Sequence, residues 1–445
     1  MHYQPLTPQD KEEMLQEIGV SSFDELLKGI PPSLREPAMN LPEALSELEI
    51  QKLLGDLGAK NHSTKSHLSF LGAGSYEHFI PAAVAQLIGR QEFYTAYTPY
   101  QPEASQGTLQ AIYEYQSLIA ELTGMDVSNA SHYDGATAMA EAALVALRHT
   151  ERSKVLIARS VHPHYRSVLK TYLEGTPYSM EEFGFHSNGS FDRKELSSLL
   201  STDVASVILQ SPNFFGDLEN FDSLAEELHQ AGVLFTLVGY PLSYALFKSP
   251  GEWGADIAVG EGQPLGIPLQ FGGPYLGYFA VTRALMRRIP GRLAGLTLDS
   301  EGRRAFCLTL QAREQHIRRE RAASNICTNQ ALCALAACVY MTLLGKEGIR
   351  EVAEINFDRA HYLREKISTL KGFTVDLETP IFNEFPIKTD KNLDEIEAKM
   401  AQDKIIPGLR LSRFYAEKKK EILICATETK SKEDLDRFVE RLSQC

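Results

Sequence analysis

The sequence predicts an α/β protein with a mainly parallel sheet in a large domain and a small α+β domain at the C-terminus. From about residue 68 to 282, segments with helical periodicity alternate with short, continuously apolar, β-branched runs. Such runs are typical of strands in a parallel sheet that helices cover on both faces. The runs are residues 155–158, 205–209, 233–238, 256–259 and 277–281.

Composition narrows the class of protein. The chain has 445 residues, of which 43% are hydrophobic and 23% charged, so it can build more than one core. Its net charge of −13 argues against binding to nucleic acid. We expect a cytoplasmic protein without a membrane span, because no basic start precedes an apolar run and no apolar run approaches the length of a span. The six cysteines form no CxxC pair, so we expect reduced thiols and no metal site.

We predict three regions: an N-terminal helical arm (1–66), a large α/β domain with its connecting helix (67–345) and a small C-terminal domain (346–445). The arm begins with a helix capped by Thr7 and resumes at residues 43–58 as an amphipathic helix. Its apolar face packs either on its own large domain or on a partner subunit. The connecting helix contains residues 329–344. In the tail we predict strands at 373–377, 385–389 and 422–426, and helices at 393–401 and 433–442.

Residues 132–147, HYDGATAMAEAALVAL, read as a glycine turn that opens an alanine-rich helix. Free backbone N–H groups at Gly135 and Thr137, together with the helix dipole, have the general form of a phosphate site. Asp134 stands at the turn, and its carboxylate is expected to cap the helix and repel a dianion. The motif therefore suggests a phosphate cup that is plugged.

His162 follows the strand at 155–158, where an imidazole either stacks on a cofactor ring or simply caps a helix. A pyridoxal ring also needs an acid that keeps its nitrogen protonated. The strand that should end in this acid ends instead in Leu237-Val-Gly-Tyr240. The predicted ring site therefore lacks its acid.

Residues 256–274, DIAVGEGQPLGIPLQFGGP, form a strand and a glycine-rich turn, the frame in which a vitamin B6 enzyme carries its Schiff-base lysine. This chain has Gln263-Pro264 there, and no lysine occurs from residue 249 to 345. We therefore expect a vestigial pocket around Gln263 without an amine nucleophile.

Two other stretches carry more polar and aromatic groups than a core needs. Tyr94, Tyr97, Tyr100 and Gln101 lie on a proline-rich loop, which is either a binding surface or an irregular loop packed on its own sheet. In residues 311–332, arginines alternate with glutamates and could form solvated i,i+4 pairs. Ser324, Asn325, Thr328 and Asn329 follow, and they either cap the next helix or donate to a phosphate on a neighbouring chain.

The ordered motifs GSYEHFIP, YTAYTPYQPEASQGTLQ, YDGATAMAEA, GADIAVGEGQPLGIPLQFGGPY and REQHIRRERAASNICTNQAL resemble the P-protein family of the glycine cleavage system. Within that family they resemble the α-type chain of its two-chain form. The resemblance covers about residues 70 to 335. It implies the fold type I architecture of pyridoxal-phosphate enzymes, with the cofactor lysine on a β subunit and two copies of each chain in a heterotetramer.

The resemblance implies decarboxylation of glycine and transfer of its aminomethyl group to the lipoyl arm of H-protein. By analogy, Tyr94, Tyr97, Tyr100 and Gln101 line the approach and His78 lies near the pocket. The residues that reach the β-bound phosphate are Ser324, Asn325, Thr328 and Asn329. Two alternatives remain: a self-sufficient transferase that uses Lys248, and a catalytically dead scaffold or regulator.

Overall fold

The computed structural model describes residues 6–35, 37, 39–322, 324–326 and 328–445, and the chain divides into two compact units, Met1–His62 and Ser63–Cys445. The first unit contains helices Pro8–Ile18, Phe23–Leu26, Pro32–Arg35 and Glu47–Gly58. Thr7 caps the first helix and Ser46 the last, each in a reciprocal capping box. The cap at Ser46 explains why the amphipathic helix begins at Glu47 rather than at the predicted residue 43. Its apolar side chains, including Leu54, are exposed, and their covering surface stays a prediction.

A seven-stranded sheet organises the second unit, and its mainly parallel character confirms the predicted fold class. Only Gly277–Val281 runs antiparallel to its neighbours in this sheet. The strands, in spatial order, are Val127–Ser128, Gly277–Val281, Ile257–Glu261, Leu234–Gly239, Val204–Ser211, Lys154–Ala158 and Ser179–Phe183. Sequence analysis missed the two edge strands, because one has two residues and the other, SMEEF, is largely polar.

Alternating side chains of the sheet enter two different cores. Phe279 and Val281 pack in a core with the helix Gly135–Thr150, whereas Tyr278 and Ala280 pack in a core with the helix Gln106–Thr123. Both faces of the sheet are therefore covered, as continuous apolar strands require. The shorter helices of this region are Ala82–Ile88, Gln91–Tyr94, Pro163–Leu173, Arg193–Leu199, Leu224–Gln230 and Gln315–Arg318.

The hairpin Leu293–Leu298 with Arg304–Thr309 was not predicted. Its alternate residues Phe306 and Leu308 pack on Leu109 and Ile112 of the helix Gln106–Thr123. This two-stranded ribbon thus gains the apolar support that an isolated hairpin lacks.

The C-terminal segments form a four-stranded sheet of Phe373–Val375, Glu384–Thr389, Glu421–Cys425 and Leu409–Arg410, in that order. Helices Leu393–Gln402 and Lys432–Ser443 pack with it in a third core. A two-residue parallel pairing joins Leu68–Ser69 to Ile405–Ile406. The predicted boundary between residues 345 and 346 stays a prediction, since Ser63–Cys445 is one compact unit.

One helix, Ala331–Ser368, is long and apolar enough to cross a membrane by length and composition. Non-helical angles at Gly345 divide it, so the apolar part before that residue is shorter than the about 20 residues that a span needs. Ala337 and Tyr340 of this part are buried in the core beneath the sheet. We therefore describe it as a kinked core helix.

Candidate functional site

The turn that resembles a phosphate cup is filled by its own aspartate. Asp134 Oδ1 accepts a hydrogen bond from the Thr137 N–H at 2.8 Å, and Thr137 Oγ1 accepts one from the Asp134 N–H at 3.2 Å. This capping box begins the helix Gly135–Thr150. A backbone donor of the first turn, the Thr137 N–H, is thus bonded to Asp134 and is not available to a phosphate.

A second carboxylate, which sequence analysis missed, completes the closure. Glu261 Oε2 accepts from the Gly135 N–H at 3.0 Å, and Glu261 Oε1 accepts from the N–H groups of Gln263 and Leu276, also at 3.0 Å. Burial raises the pKa of Glu261 to about 8, and its three backbone donors oppose that rise. The sequence shows only that Glu261 follows the strand predicted at 256–259, which does not reveal its contact with Gly135. With Asp134, it puts two acidic groups where a dianion would sit.

His162 caps a helix. Its Nδ1 accepts from the His164 N–H at 3.1 Å at the start of the helix Pro163–Leu173, so the neutral ring donates from Nε2 to the Ala73 carbonyl, 2.9 Å away. Burial lowers the pKa of His162 to about 4. The ring of Tyr165 stacks on the imidazole with centroids 4.8 Å apart. A face on which a cofactor ring would stack is therefore occupied by a side chain.

Gln263, in the lysine position, is 1% exposed and holds the loop that precedes the helix Ala82–Ile88. Its Oε1 accepts from the Tyr76 N–H, and its Nε2 donates to the carbonyls of Tyr76 and Ile267, at 2.7 to 2.9 Å. The cavity left among Gln210, Tyr240 and their neighbours measures about 30 Å³. Ligand pockets usually have at least about 300 Å³. The residues of this chain therefore do not fit pyridoxal phosphate.

Lys248, the other lysine considered as a Schiff-base former, lies outside this pocket. Its Nζ stands 4.2 Å from the centre of the Trp253 ring and 3.6 Å from Asp222 Oδ1. Half of its side chain is exposed. Nothing in this arrangement supports a cofactor bond to Lys248.

A larger cavity, of about 200 Å³, lies next to the start of the kinked core helix. Its other side is the proline-rich segment that carries Tyr94, Tyr97, Tyr100 and Gln101, which we call the aromatic loop. The cavity is lined by Tyr94, Tyr97, Thr328 and Asn329, which sequence analysis placed in two separate motifs. Apolar side chains of the helices Gln106–Thr123 and Ala331–Ser368 form much of its wall, and the buried Arg292 contributes a charge. The structure thus joins the two polar motifs around one mainly apolar cavity.

The helix that follows is not capped by Ser324, Asn325, Thr328 or Asn329. Gln330 is its N-cap and makes no side-chain capping bond. Asn329 Nδ2 donates to the Ala130 carbonyl and to Ser131 Oγ, both at 2.9 Å, which fixes this segment to the sheet. Ser324 is buried beside Glu141, with which it shares a hydrogen bond, whereas Asn325 and Thr328 are exposed. The last two therefore present their polar groups to solvent.

The remaining predicted site residues lie at different places. Tyr100 OH accepts from Arg292 Nη2 at 3.3 Å near the 200 Å³ cavity, and Gln101 is exposed beside it. His78 lies away from that cavity, next to the closed pocket, where its Nε2 contacts Tyr240 OH and its Nδ1 is 2.8 Å from Glu428 Oε2. His78 is thus not part of the aromatic loop beside the 200 Å³ cavity.

The predicted arginine pairs differ from the observed contacts. Among the described residues of 311–322, Arg321 and Glu320 are in contact at 3.9 Å, and no i,i+4 pair is present. Arg313 Nη1 donates to the Ile289 carbonyl instead. No cluster of three metal-binding side chains occurs in the part of the chain that the structure describes. Five described cysteines are free, and Cys327 lies outside the described residues.

Comparison with known proteins places this geometry in a family. The profile of the glycine cleavage system P-protein family matches residues 1–442. A probable glycine dehydrogenase (decarboxylating) subunit 1 of Desulfitobacterium hafniense is 52% identical over 440 residues, which cover 99% of this chain and 98% of the relative. A protein of the same description from Anoxybacillus flavithermus is 52% identical over 441 residues, with the same coverage.

Two solved structures share the fold. The crystal structure of an inhibitor-bound glycine decarboxylase (P-protein) of the glycine cleavage system has a TM-score of 0.92, with 42% identity and full coverage of both chains. A sphingosine-1-phosphate lyase of Burkholderia pseudomallei has a TM-score of 0.67 at 14% identity, covering 93% of this chain and 94% of its own, and supports the fold alone. The predicted fold type I architecture is confirmed. The chain belongs to the glycine cleavage system P-protein family.

Proposed function

We propose that this chain is the cofactor-free subunit of a glycine dehydrogenase (decarboxylating), an oxidoreductase that releases carbon dioxide from glycine and passes the aminomethyl group to the lipoyl arm of H-protein. The main support for the proposal is the closed pocket, by which we mean the pocket that Asp134, Glu261 and Gln263 fill. Asp134 and Glu261 take the donors that a phosphate needs, and Gln263 stands in place of the lysine. The name "subunit 1" of its relatives supports a second subunit, to which we assign the cofactor lysine.

Pyridoxal phosphate on the partner would supply the electron sink for the electron pair that stays on the α-carbon when carbon dioxide leaves. The role of this chain is to complete that site. We assign to the Asn325 amide and the Thr328 hydroxyl the role of donating to the partner's phosphate, a role that their exposure supports. Asn329 uses both amide protons within its own chain, so it positions this segment. Ser324 also holds this segment in place, through its hydrogen bond to Glu141.

The 200 Å³ cavity suits the approach of the lipoyl arm. Transfer of an aliphatic arm from water to an apolar wall lowers the free energy. Tyr94, Tyr97 and the helices Gln106–Thr123 and Ala331–Ser368 form such a wall. Tyr97 is 82% exposed and Tyr94 67%, and such exposure of large aromatic rings is expected of a surface that a partner covers. We propose that Tyr100 and Gln101 form the rim of this cavity. We also propose that two α and two β chains assemble in the cytoplasm.

Reconstitution with the lysine-bearing partner tests this function. We expect glycine decarboxylation, measured as exchange of labelled bicarbonate into glycine, only when both chains and H-protein are present. Partner chain that turns over glycine equally fast alone would refute the proposal. In the pair, Thr328→Val should weaken pyridoxal phosphate binding about tenfold, as expected for loss of a hydrogen bond to a charged group.

Thr369→Val is the matched control, because its hydroxyl bonds only the Lys366 carbonyl within its own helix end. It should change neither cofactor affinity nor exchange. The scaffold alternative predicts a different outcome: Thr328→Val and Tyr97→Ala would leave exchange unchanged while the complex remains intact by size-exclusion chromatography.

A further inference from the structure

A third cavity lies away from the two just described. It measures about 520 Å³ and is bounded by residues 184–189 and by the C-terminal sheet. None of its lining residues belongs to the closed pocket or to the cavity of the aromatic loop. A volume of this size accommodates a small organic ligand. The glycine dehydrogenase function proposed above makes no use of it.

Three charged residues line this cavity and are more than nine-tenths buried. Asp217 is 4% exposed, Arg364 6% and Lys418 8%. Burial of a charge is costly unless it is paired and hydrogen-bonded. Lys418 has such a partner, because its Nζ donates to Glu421 Oε2 at 2.8 Å. Asp217 and Arg364 are less well satisfied.

Each of these two oppositely charged residues has one buried polar atom without a hydrogen-bond partner among the described residues. Asp217 Oδ2 has no hydrogen-bond partner among the described residues. Arg364 donates to the carbonyls of Thr379 and Leu377 at 2.8 and 3.4 Å, while its Nε is unpartnered and no described carboxylate forms an ion pair with it. All three side chains line the same cavity, where burial raises the pKa of the Asp217 carboxyl to about 7 and the charges of Lys418 and Arg364 oppose that rise. The site thus offers an acceptor beside cationic donors.

One wall of the cavity is aromatic. The rings of Phe185 and Phe215 are 4.9 Å apart, and Lys418 Nζ stands 4.7 Å from the centre of the Phe215 ring. Arg159 lies 5.4 Å from the Phe185 ring, and Phe385 also faces the cavity. These rings offer a flat apolar surface next to the charged groups. A ligand that matches all of them carries a cation, an anion and an apolar body.

We propose that this cavity binds a free α-amino acid with an apolar side chain, holding its ammonium group at Asp217, its carboxylate at Lys418 and Arg364, and its side chain against Phe185 and Phe215. The ammonium and the carboxylate of an amino acid are carried by one α-carbon, which suits groups of opposite sign that line the same cavity. The cavity shares no lining residue with the cavity of the aromatic loop, so it is a binding site separate from the proposed reaction.

Isothermal titration of the full chain tests the proposal with L-phenylalanine, phenylacetate and phenethylamine as probes. The last two lack the ammonium and the carboxylate, respectively. We expect L-phenylalanine to bind with a Kd below about 1 mM and at least about tenfold more tightly than either fragment. Equal affinity for phenylacetate or phenethylamine would overturn the amino-acid assignment, and so would no saturable binding of any probe.

Two variants locate the binding. Asp217→Asn should weaken L-phenylalanine binding at least about tenfold and leave phenylacetate binding unchanged, because only the ammonium loses its partner. Ser187→Trp keeps the buried groups and fills the cavity from the exposed loop, so it should abolish binding of every probe even if Asp217→Asn fails to fold. The exposed Lys248→Gln is the control and should bind as the parent does. Unchanged binding in Ser187→Trp would refute this location.

Discussion

Gln263 shows how one side chain closes a cofactor pocket. Its amide accepts one hydrogen bond from the backbone of Tyr76 and returns another, and a third goes to the Ile267 carbonyl. A lysine ammonium has only donors, so it could not satisfy the Tyr76 N–H. The residue at the predicted lysine position is thus part of the scaffold.

Gln263→Lys should therefore fail to restore a Schiff base. The new ammonium would be buried, because residue 263 is 1% exposed, and Asp134 and Glu261 would still fill the phosphate cup. We expect no near-visible absorption with pyridoxal phosphate, no product trapped by borohydride and a lower melting temperature. Gln101→Lys, at an exposed position, controls for non-specific reaction with a lysine. A yellow Gln263→Lys chain would show that the cup can open.

Glu141 provides a prediction about pH. Burial raises its pKa to about 7, and its Oε2 has no described partner. Because the pKa is higher in the folded than in the unfolded chain, this group stabilises the fold below about pH 4.5, and that contribution is lost as the pH rises through 7. Glu141→Gln stays neutral, so its unfolding free energy should exceed the parent's by up to roughly 3 kcal/mol at pH 8.

Urea unfolding at pH 5 and pH 8 measures this effect. Glu226→Gln, on the helix Leu224–Gln230, is the control and should follow the parent at both pH values. The proposed ionisation of Glu141 would be wrong if Glu141→Gln were less stable than the parent at pH 8.

At the scale of elements, contacts between sequence neighbours were predictable and contacts between distant residues were not. Asp134 caps its helix through a residue three positions away, and Thr7 does the same. By contrast, Glu261 reaches Gly135 across 126 positions. No local pattern reports such a pairing, so sequence analysis found one of the two plugging acids. The same limit applies to the hairpin, whose strands lack a continuous apolar run.

The cap at Asp134 can be tested against its own isostere. Asp134→Ala removes the acceptor for the Thr137 N–H, and we expect the unfolding free energy to fall by about 1 kcal/mol. Asp134→Asn keeps an acceptor oxygen and should lose only a few tenths of that. If both variants were equally destabilised in urea, the charge against the helix dipole rather than the cap would be the important property.

At the scale of the whole Ser63–Cys445 unit, the segment around Tyr76 ties distant parts of the chain together. Tyr76 OH donates to Glu384 Oε2 at 2.7 Å, its backbone pairs with Gln263, and His78 contacts Tyr240 and Glu428. The partners lie 162 to 350 positions away in sequence. Sequence analysis placed His78 near the pocket, but not in this network, because the network exists only once the chain has folded.

His78 and Glu428 form a buried hydrogen-bonded pair in this network, and an exposed histidine–carboxylate pair of equal length permits a matched test. In both His78–Glu428 and His229–Asp256 the closest nitrogen and oxygen are 2.8 Å apart, but the His78 side chain is 2% exposed and the His229 side chain 44%. Burial favours the neutral acid, yet the charge of His78 and hydrogen bonds that include the Phe79 N–H hold the pKa of Glu428 below its ordinary value.

His78→Ala would therefore leave a buried carboxylate without its main partner. We expect the unfolding free energy to fall by about 3 kcal/mol, whereas His229→Ala should cost less than about 1 kcal/mol, because water replaces its exposed imidazole. Urea unfolding of both variants at neutral pH measures the difference. His78→Ala should also speed proteolysis near residue 76, since the segment loses one of its anchors. Equal losses in the two variants would show that Glu428 finds solvent or another partner, and that the closed pocket does not depend on this pair.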